Sequence, residues 1–341
     1  MTDNDRHKAS SETALVTAVH RDRFELKSGR EIFFGRLKRS IYYGRQPQIM
    51  PTVGDFVLYT ASEGNDAQIV ETLPRKSYFA RRDPDPMGGK EQAVAANFDY
   101  VFIMSSLNHD FNPGRIERYV VQSHQSGAVP VVILTKADLQ EDLDSYIQQA
   151  RAVAVGIDII PISIVSGDGL SKLGKYLQPG KTVVFLGMSG VGKSSLLNKL
   201  MGYEAMDARE IREDDSRGRH TTTHRQLFTL PSGAMAIDTP GMRILGMWES
   251  GDGLSEAFAD IEELLLECRF ADCKHQSEPG CAIRAAIQSG DLDETRLQSY
   301  LSLQQESSYA QDKASYLRGK EERGKMIAKH VKQMKRDGRL R

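Results

Sequence analysis

The sequence is short of cysteine and tryptophan, carries almost no net charge, and lacks any long apolar run. Only three cysteines and one tryptophan occur in 341 residues. All three cysteines, Cys268, Cys273 and Cys281, fall in one cluster. An odd number in one cluster argues against a disulfide framework and for a reducing compartment. None of the apolar runs approaches a membrane span of about 18 residues or more, so no membrane partner is expected. Lys+Arg 45 against Asp+Glu 46 leaves a net charge of −1, and total charge therefore names no partner. Residues 1–12 are polar and have no apolar h-region. They read as a disordered tail and not as a secretion signal. What is present is a 40% hydrophobic content, enough for packed cores. A chain of this length is expected to form about two or three domains.

The most informative stretch is Thr182 to Leu200. A β-branched apolar run, Thr182–Leu186, reads as a buried strand. It leads into Gly187-Met188-Ser189-Gly190-Val191-Gly192-Lys193-Ser194, a complete G-x-x-x-x-G-K-S/T pattern. Ser195–Leu200 then continues as a helix. Strand, glycine loop and helix are the context a phosphate-binding loop needs. The glycines let backbone N–H groups turn onto an anion, and the helix N-terminus adds partial positive charge. Lys193 is expected to reach the β- and γ-phosphates, and the Ser194 hydroxyl to hold Mg²⁺. Ser195 is counted with the nucleotide-contacting residues.

Other motifs fall around this one. Residues 13–75 contain five short β-rich runs, Leu15–Val19, Phe24–Leu26, Glu31–Phe34, Val53–Tyr59 and Gln68–Glu71, separated by turn signals. They suit a small closed barrel of OB type. Arg21, Arg23, Lys27, Arg30, Arg36, Lys38, Arg39 and Arg45 lie beside Tyr42 and Tyr43, a composition suited to RNA but also to an ordinary solvated surface. Residues 74–97 carry three prolines and a Gly-Gly pair, and 76–97 reads as a linker. Residues 98–246 alternate strand and helix, an α/β domain with a mainly parallel sheet. Ligands in such sheets bind at the carboxyl ends of strands, and each further motif follows a strand.

Thr135-Lys136-Ala137-Asp138 follows the run Val131–Leu134 and resembles the base-reading N/T-K-x-D motif of GTPases. A carboxylate at Asp138 can accept two hydrogen bonds from guanine, a donor pair that adenine lacks. Thr135 stands where Asn is commoner, which is expected to weaken the support of the loop. Ser163, after the run Ile159–Ile162, is a faint match to a second base-contacting loop. Asp238-Thr239-Pro240-Gly241 matches D-x-x-G, with Asp238 directed at Mg²⁺ and the Gly241 N–H at the γ-phosphate. Between these lies Arg219-His220-Thr221-Thr222-Thr223-His224, read as the first nucleotide-sensing switch, in which a Thr completes the Mg²⁺ set. In Ras-like GTPases the phosphate loop precedes the base-reading motif. Here it follows, which implies a circular permutation. The residue after D-x-x-G is Met242, which has no strong donor or acceptor to orient water, so another group must do so.

Beyond residue 246, Cys268, Cys273, His275 and Cys281 form a closed Cys₃His set for one structural Zn²⁺, within a mostly helical domain over 247–317. Helices are expected over Ala282–Ser289 and Glu294–Gln311. The tail 318–341 holds ten Lys/Arg and three Asp/Glu and suggests an anionic surface as its partner.

The order barrel, base motif, phosphate loop, H-T-T-T, D-T-P-G and Cys₃His resembles the RsgA (YjeQ) family of circularly permuted bacterial GTPases. Gln92–Asp99 and Gly218–Arg225 look like family segments too. The resemblance implies a multidomain cytoplasmic GTPase that binds the small ribosomal subunit late in its maturation and turns GTP into GDP. It implies that the barrel and zinc domains contact ribosomal RNA. It also places a water-orienting role on His220 and a switch role on Thr222. A monomer is the default expectation. The competing reading is an RNA-binding module in which nucleotide only stabilises the fold.

Overall fold

The computed structural model describes residues 11–42, 49–61, 66–82, 91–204, 225–238 and 251–308. These residues form two compact units, one ending with the α/β domain and one holding the cysteine cluster.

The first unit begins with β1 (Glu12–Val19), β2 (Phe24–Ser28) and β3 (Glu31–Leu37), then a single helical turn α1 (Arg39–Tyr42), β4 (Phe56–Thr60) and β5 (Ala67–Thr72). Strands pair in the order β1-β2-β3-β5-β4, and β4 returns to β1 to close a five-stranded barrel. Ala14, Val16, Leu26, Val57 and Ile69 fill its interior. Their alternation with less deeply buried neighbours is the period-two pattern of a half-buried strand. A register shift between Val16 and Ala18 marks a bulge in β1. Such a bulge bends the strand and increases its twist. Past it, Ala18 pairs with Gln226 of a strand far along the chain.

The stretch expected as a linker is in part an antiparallel hairpin, β6 (Tyr78–Arg82) with β7 (Glu91–Ala96). The barrel loop 52–55 holds it. Thr52 Oγ1 donates to the Val94 carbonyl, Ala96 N–H donates to Val53, and Asn97 Nδ2 donates to Gly54. Gly54 has a φ of 89°, and a Cβ there would lie 2.1 Å from the Ala96 carbonyl oxygen. Only glycine permits that approach. Beneath, Arg75 makes two bonds to the fully buried carboxylate of Asp55, at 2.8 and 2.7 Å. Pairing this charge is what makes its burial tolerable.

The α/β domain follows: β8 (Tyr100–Ser106), α2 (Pro113–Gln125), β9 (Val129–Thr135), α3 (Leu143–Val153), β10 (Ile159–Pro161), β11 (Thr182–Leu186), α4 (Lys193–Met201), β12 (Gln226–Thr229) and β13 (Met235–Asp238). The sheet order is β10-β9-β8-β11-β13-β12, with every neighbour parallel except β12 against β13. β12 then pairs with β1, so barrel and α/β domain share one eleven-stranded sheet. The parallel strands β8, β9 and β11 are each followed by a helix and are near-continuously apolar, as expected where both faces are buried. Phe102, Val131, Ile133, Val183, Phe185, Leu196 and Leu197 belong to that core. Asn112 caps α2 by accepting from Arg115 N–H, with Pro113 as its first residue.

The second unit, as far as it is described, is helical: α5 (Gly251–Ala257), α6 (Ala259–Leu266), α7 (Ala282–Ser289) and α8 over 294–308. The first two were not foreseen. Arg296 is 6% exposed, makes two 2.7 Å bonds to Asp260, and lies over the Phe258 ring. Burial pushes the Asp260 carboxyl up, but the Arg296 guanidinium outweighs it and holds it below the usual range.

Candidate nucleotide site and metal cluster

The phosphate loop grows from the buried strand β11. Gly187 is packed so tightly that a Cβ would sit 2.5 Å from the Met104 carbonyl oxygen. Gly190 and Gly192 have φ of 79° and 100°, the left-handed region in which a glycine loop can turn backbone N–H groups onto an anion. α4 starts at Lys193 with no side-chain cap. A helix N-terminus without a side-chain cap presents N–H groups and a dipole that favour an anion. Lys193 Nζ donates to the carbonyls of Gly187 and Met188, each at 2.7 Å, and so lies across the loop. Ser194 and Ser195 are half-buried in the first turn of α4, Met188 and Ser189 are half-buried in the loop, and Val191 is buried.

The base-reading motif follows β9. Thr135 is fully buried, and its hydroxyl donates to the Val191 carbonyl at 2.7 Å. This short side chain ties the base-reading loop directly to the phosphate loop. Lys136 has a left-handed backbone, φ 60°, which turns the chain into a 3₁₀ turn over Ala137–Leu139. Ala137 N–H donates to Ile162, and Asp138 is exposed on that turn. Ser163 is buried after β10. Its N–H donates to the Asp168 carbonyl, and its Oγ accepts from Ser166 N–H at 3.1 Å. Ile164 packs beside Gly192. Residues 135–138, 163–168 and 187–194 are thus drawn together at the carboxyl ends of β9, β10 and β11. Asp238, 4% exposed, closes β13 at the same end of the sheet, one residue past the Val184–Ile237 pair. His220, Thr222, His224, Gly241 and Met242 lie outside the described residues, as does the tail 318–341. Arg225, just after the segment expected to be the first switch, donates to the Ala93 carbonyl of the hairpin at 2.6 Å.

In the second unit the ligand atoms of Cys268, Cys273, His275 and Cys281 all lie within 4.8 Å of one another. His275 Nδ1 is 3.7 Å from the Cys268 sulfur and 3.5 Å from the Cys281 sulfur. A tetrahedral site with ordinary Zn–S and Zn–N bonds has an N···S edge of about 3.6 Å. The cluster therefore fits a four-coordinate metal ion. Burial raises the Cys268 thiol, but the N–H groups of Ala282 and Ile283 at the start of α7 outweigh it and lower it overall. Burial and the neighbouring Cys281 and Cys268 sulfurs push Cys273 up to about 11. A metal ion would have to displace that proton. Two features of these sites escaped the sequence reading: the Thr135–Val191 bond, and Glu278, whose carboxylate lies inside the cysteine loop.

Comparison with known proteins agrees with this geometry. The family model described as RsgA GTPase matches residues 72–248. The small ribosomal subunit biogenesis GTPase RsgA 2 of Listeria monocytogenes is 45% identical over 95% of this chain and 92% of its own. RsgA of Methanosarcina acetivorans is 42% identical over 97% of this chain and 86% of its own. The crystal structure of YjeQ from Thermotoga maritima superposes with a TM-score of 0.65 at 25% identity, covering 87% of this chain and 98% of that one. YloQ, described as a circularly permuted GTPase, gives 0.61 at 24% identity over 90% and 98%, which bears on the fold alone.

Proposed function

We propose, for a chain that belongs to the RsgA GTPase family, a GTP hydrolase acting in biogenesis of the small ribosomal subunit. It converts GTP and water to GDP and phosphate. The bond from Thr135 to Val191 carries this reading, because it makes the base-reading and phosphate loops one site. Asp138, with Thr135, Lys136, Ala137 and Ser163 around the base, selects guanine. The loop 187–194, with Ser195 beside it and Gly241 from the second switch, holds the phosphates. Lys193 adds positive charge where negative charge develops during transfer. Ser194, Thr222 and Asp238 would hold Mg²⁺, which neutralises phosphate charge when bound. His220 accepts a hydrogen bond from the attacking water and aligns it with the γ-phosphate. Positioning of this kind supplies most of the catalysis in phosphoryl transfer.

The cluster of the second unit takes Zn²⁺, and with four protein ligands it has no open position, so its role is structural. The working division of the chain is a barrel over 13–75, a GTPase domain over 98–246 and a metal domain over 247–317. The partner is the small subunit with its ribosomal RNA, met by the metal domain and by the basic side of the barrel. There Arg23 lies 3.9 Å over the Phe34 ring, pairing charge with an aromatic as RNA-binding surfaces do. The protein works in the cytoplasm as a monomer. Phosphate release measured with and without purified small subunits tests the reading. Turnover should rise severalfold or more when subunits are added. Turnover that stays negligible with subunits present would instead favour an RNA-binding module.

A further inference from the structure

The loop from Cys273 to Cys281 encloses a carboxylate that is not a member of the metal-binding set. Glu278 Oε1 accepts from the N–H of Lys274 at 3.0 Å. Its Oε2 accepts from the N–H groups of Gln276 and Ser277, at 2.9 and 3.0 Å. Two of these three amides, those of Lys274 and Gln276, belong to the residues on either side of His275. His275 has a left-handed backbone with φ 58°, a region that a residue with a Cβ rarely occupies without outside support. Converging backbone N–H groups form an anion-binding concavity. Here the chain fills that concavity with its own side chain. The backbone hydrogen bonds hold the Glu278 carboxyl at about 2, far below its usual range. A second tie closes the loop at its far end, where Arg269 N–H donates to the Gly280 carbonyl at 3.1 Å, beside Cys268.

We infer that Glu278 is the positioning residue of the metal site: it clamps the backbone around His275 so that Nδ1 faces the Cys268 and Cys281 sulfurs before any ion arrives. The inference rests on the metal reading of the cluster. Of the four ligand residues only His275 has a left-handed backbone, whereas Cys281 is fixed at the start of α7 and Cys268 lies two residues past α6. Without the carboxylate, three N–H groups lose their acceptor and residue 275 is free to relax toward ordinary backbone. The ring then turns away from the sulfurs and must be recovered when metal binds. Groups that orient a ligand in this way typically govern metal affinity by about ten- to a hundredfold.

The test uses the full-length chain as Glu278→Ala, Glu278→Gln and a control, Glu263→Ala, which removes an exposed charge from α6. Zn²⁺ affinity is measured by competition with a chromophoric chelator, and the ligand-field spectrum is recorded with Co²⁺ in place of zinc. Glu278→Ala should bind Zn²⁺ about ten- to a hundredfold more weakly. Glu278→Gln keeps the oxygen that can serve two of the three amides and should fall between Ala and wild type. It also carries the test if the alanine variant does not fold. The cobalt bands of the alanine variant should shift or broaden at saturation, and guanine-nucleotide affinity should not change. Glu263→Ala should match wild type throughout. Equal zinc affinity in wild type and Glu278→Ala would overturn the inference and leave the metal reading intact. So would a lower unfolding midpoint with an unchanged cobalt spectrum, which is what a merely stabilising turn would give. A wild-type chain that binds no metal would overturn both.

Discussion

Replacing Thr135 by valine isolates one hydroxyl at the junction of the two nucleotide loops. The substitution keeps shape and volume and removes only the donor that meets the Val191 carbonyl at 2.7 Å. Thr135 is fully buried and Val191 is 4% exposed, so water cannot readily replace the lost bond. Leaving a buried acceptor unsatisfied costs about 1–3 kcal/mol. Where that cost appears depends on the loop. If the free loop relaxes and must be rebuilt around the nucleotide, the whole cost falls on binding. Guanine-nucleotide affinity then drops about 5- to 150-fold. If the loop cannot relax, affinity holds and the same energy is lost from the unfolding free energy. The two measurements, titration with a fluorescent GDP and urea unfolding, should together account for the full cost. Thr135→Ser keeps the hydroxyl and should stay near wild type in both. A valine variant unchanged in both affinity and stability would refute the reasoning, because the bond would then hold nothing in place.

Three further outcomes are expected. Asp138→Asn should lose GTP and gain xanthosine triphosphate, whose extra carbonyl suits an amide donor; unaltered GTP preference in a competition assay would remove Asp138 from the base site. Cys273→Ala should lose about one metal ion per chain by elemental analysis and unfold the second unit, while nucleotide binding stays near normal. His220→Ala should keep GTP affinity and subunit binding but lower subunit-stimulated turnover by roughly ten- to a thousandfold, about 1.4–4 kcal/mol. Normal turnover in that variant with a collapse in His224→Ala would show that the neighbouring histidine is the one that matters.

The parts of this protein that were legible in its sequence are those where local pattern and tertiary role agree. The β-branched runs Val129–Thr135 and Thr182–Leu186 are strands because both of their faces are buried, and the motifs follow them directly. The hairpin was not legible. β7 reads Glu-Gln-Ala-Val-Ala-Ala, poor in strand-forming residues, and it is held by hydrogen bonds with barrel residues 52 and 53 that are distant in sequence. Propensity gives way to such context. The tether of Thr135 was not legible for a related reason. Its bond depends on its burial and on the position of Val191, and neither can be read from a tetrapeptide. Glu278 was invisible because its partners are backbone N–H groups, whose directions depend on the conformation of His275.

The pairing of Ala18 with Gln226 has a consequence for how the chain is made. The barrel can close once residue 72 has left the ribosome, since its strand pairings all lie within 12–72. From then on β1 presents an edge next to its bulge, and that edge waits about 150 residues for β12. Long-range pairings of this kind form late, because loop closure must precede the contacts that reward it. Unpaired strand edges are where chains adhere to one another. The α/β sheet in turn acquires its outermost strand, β12, beside a finished template instead of ending in open solvent. A nascent chain halted short of residue 226 therefore carries a folded barrel with one edge still unclaimed.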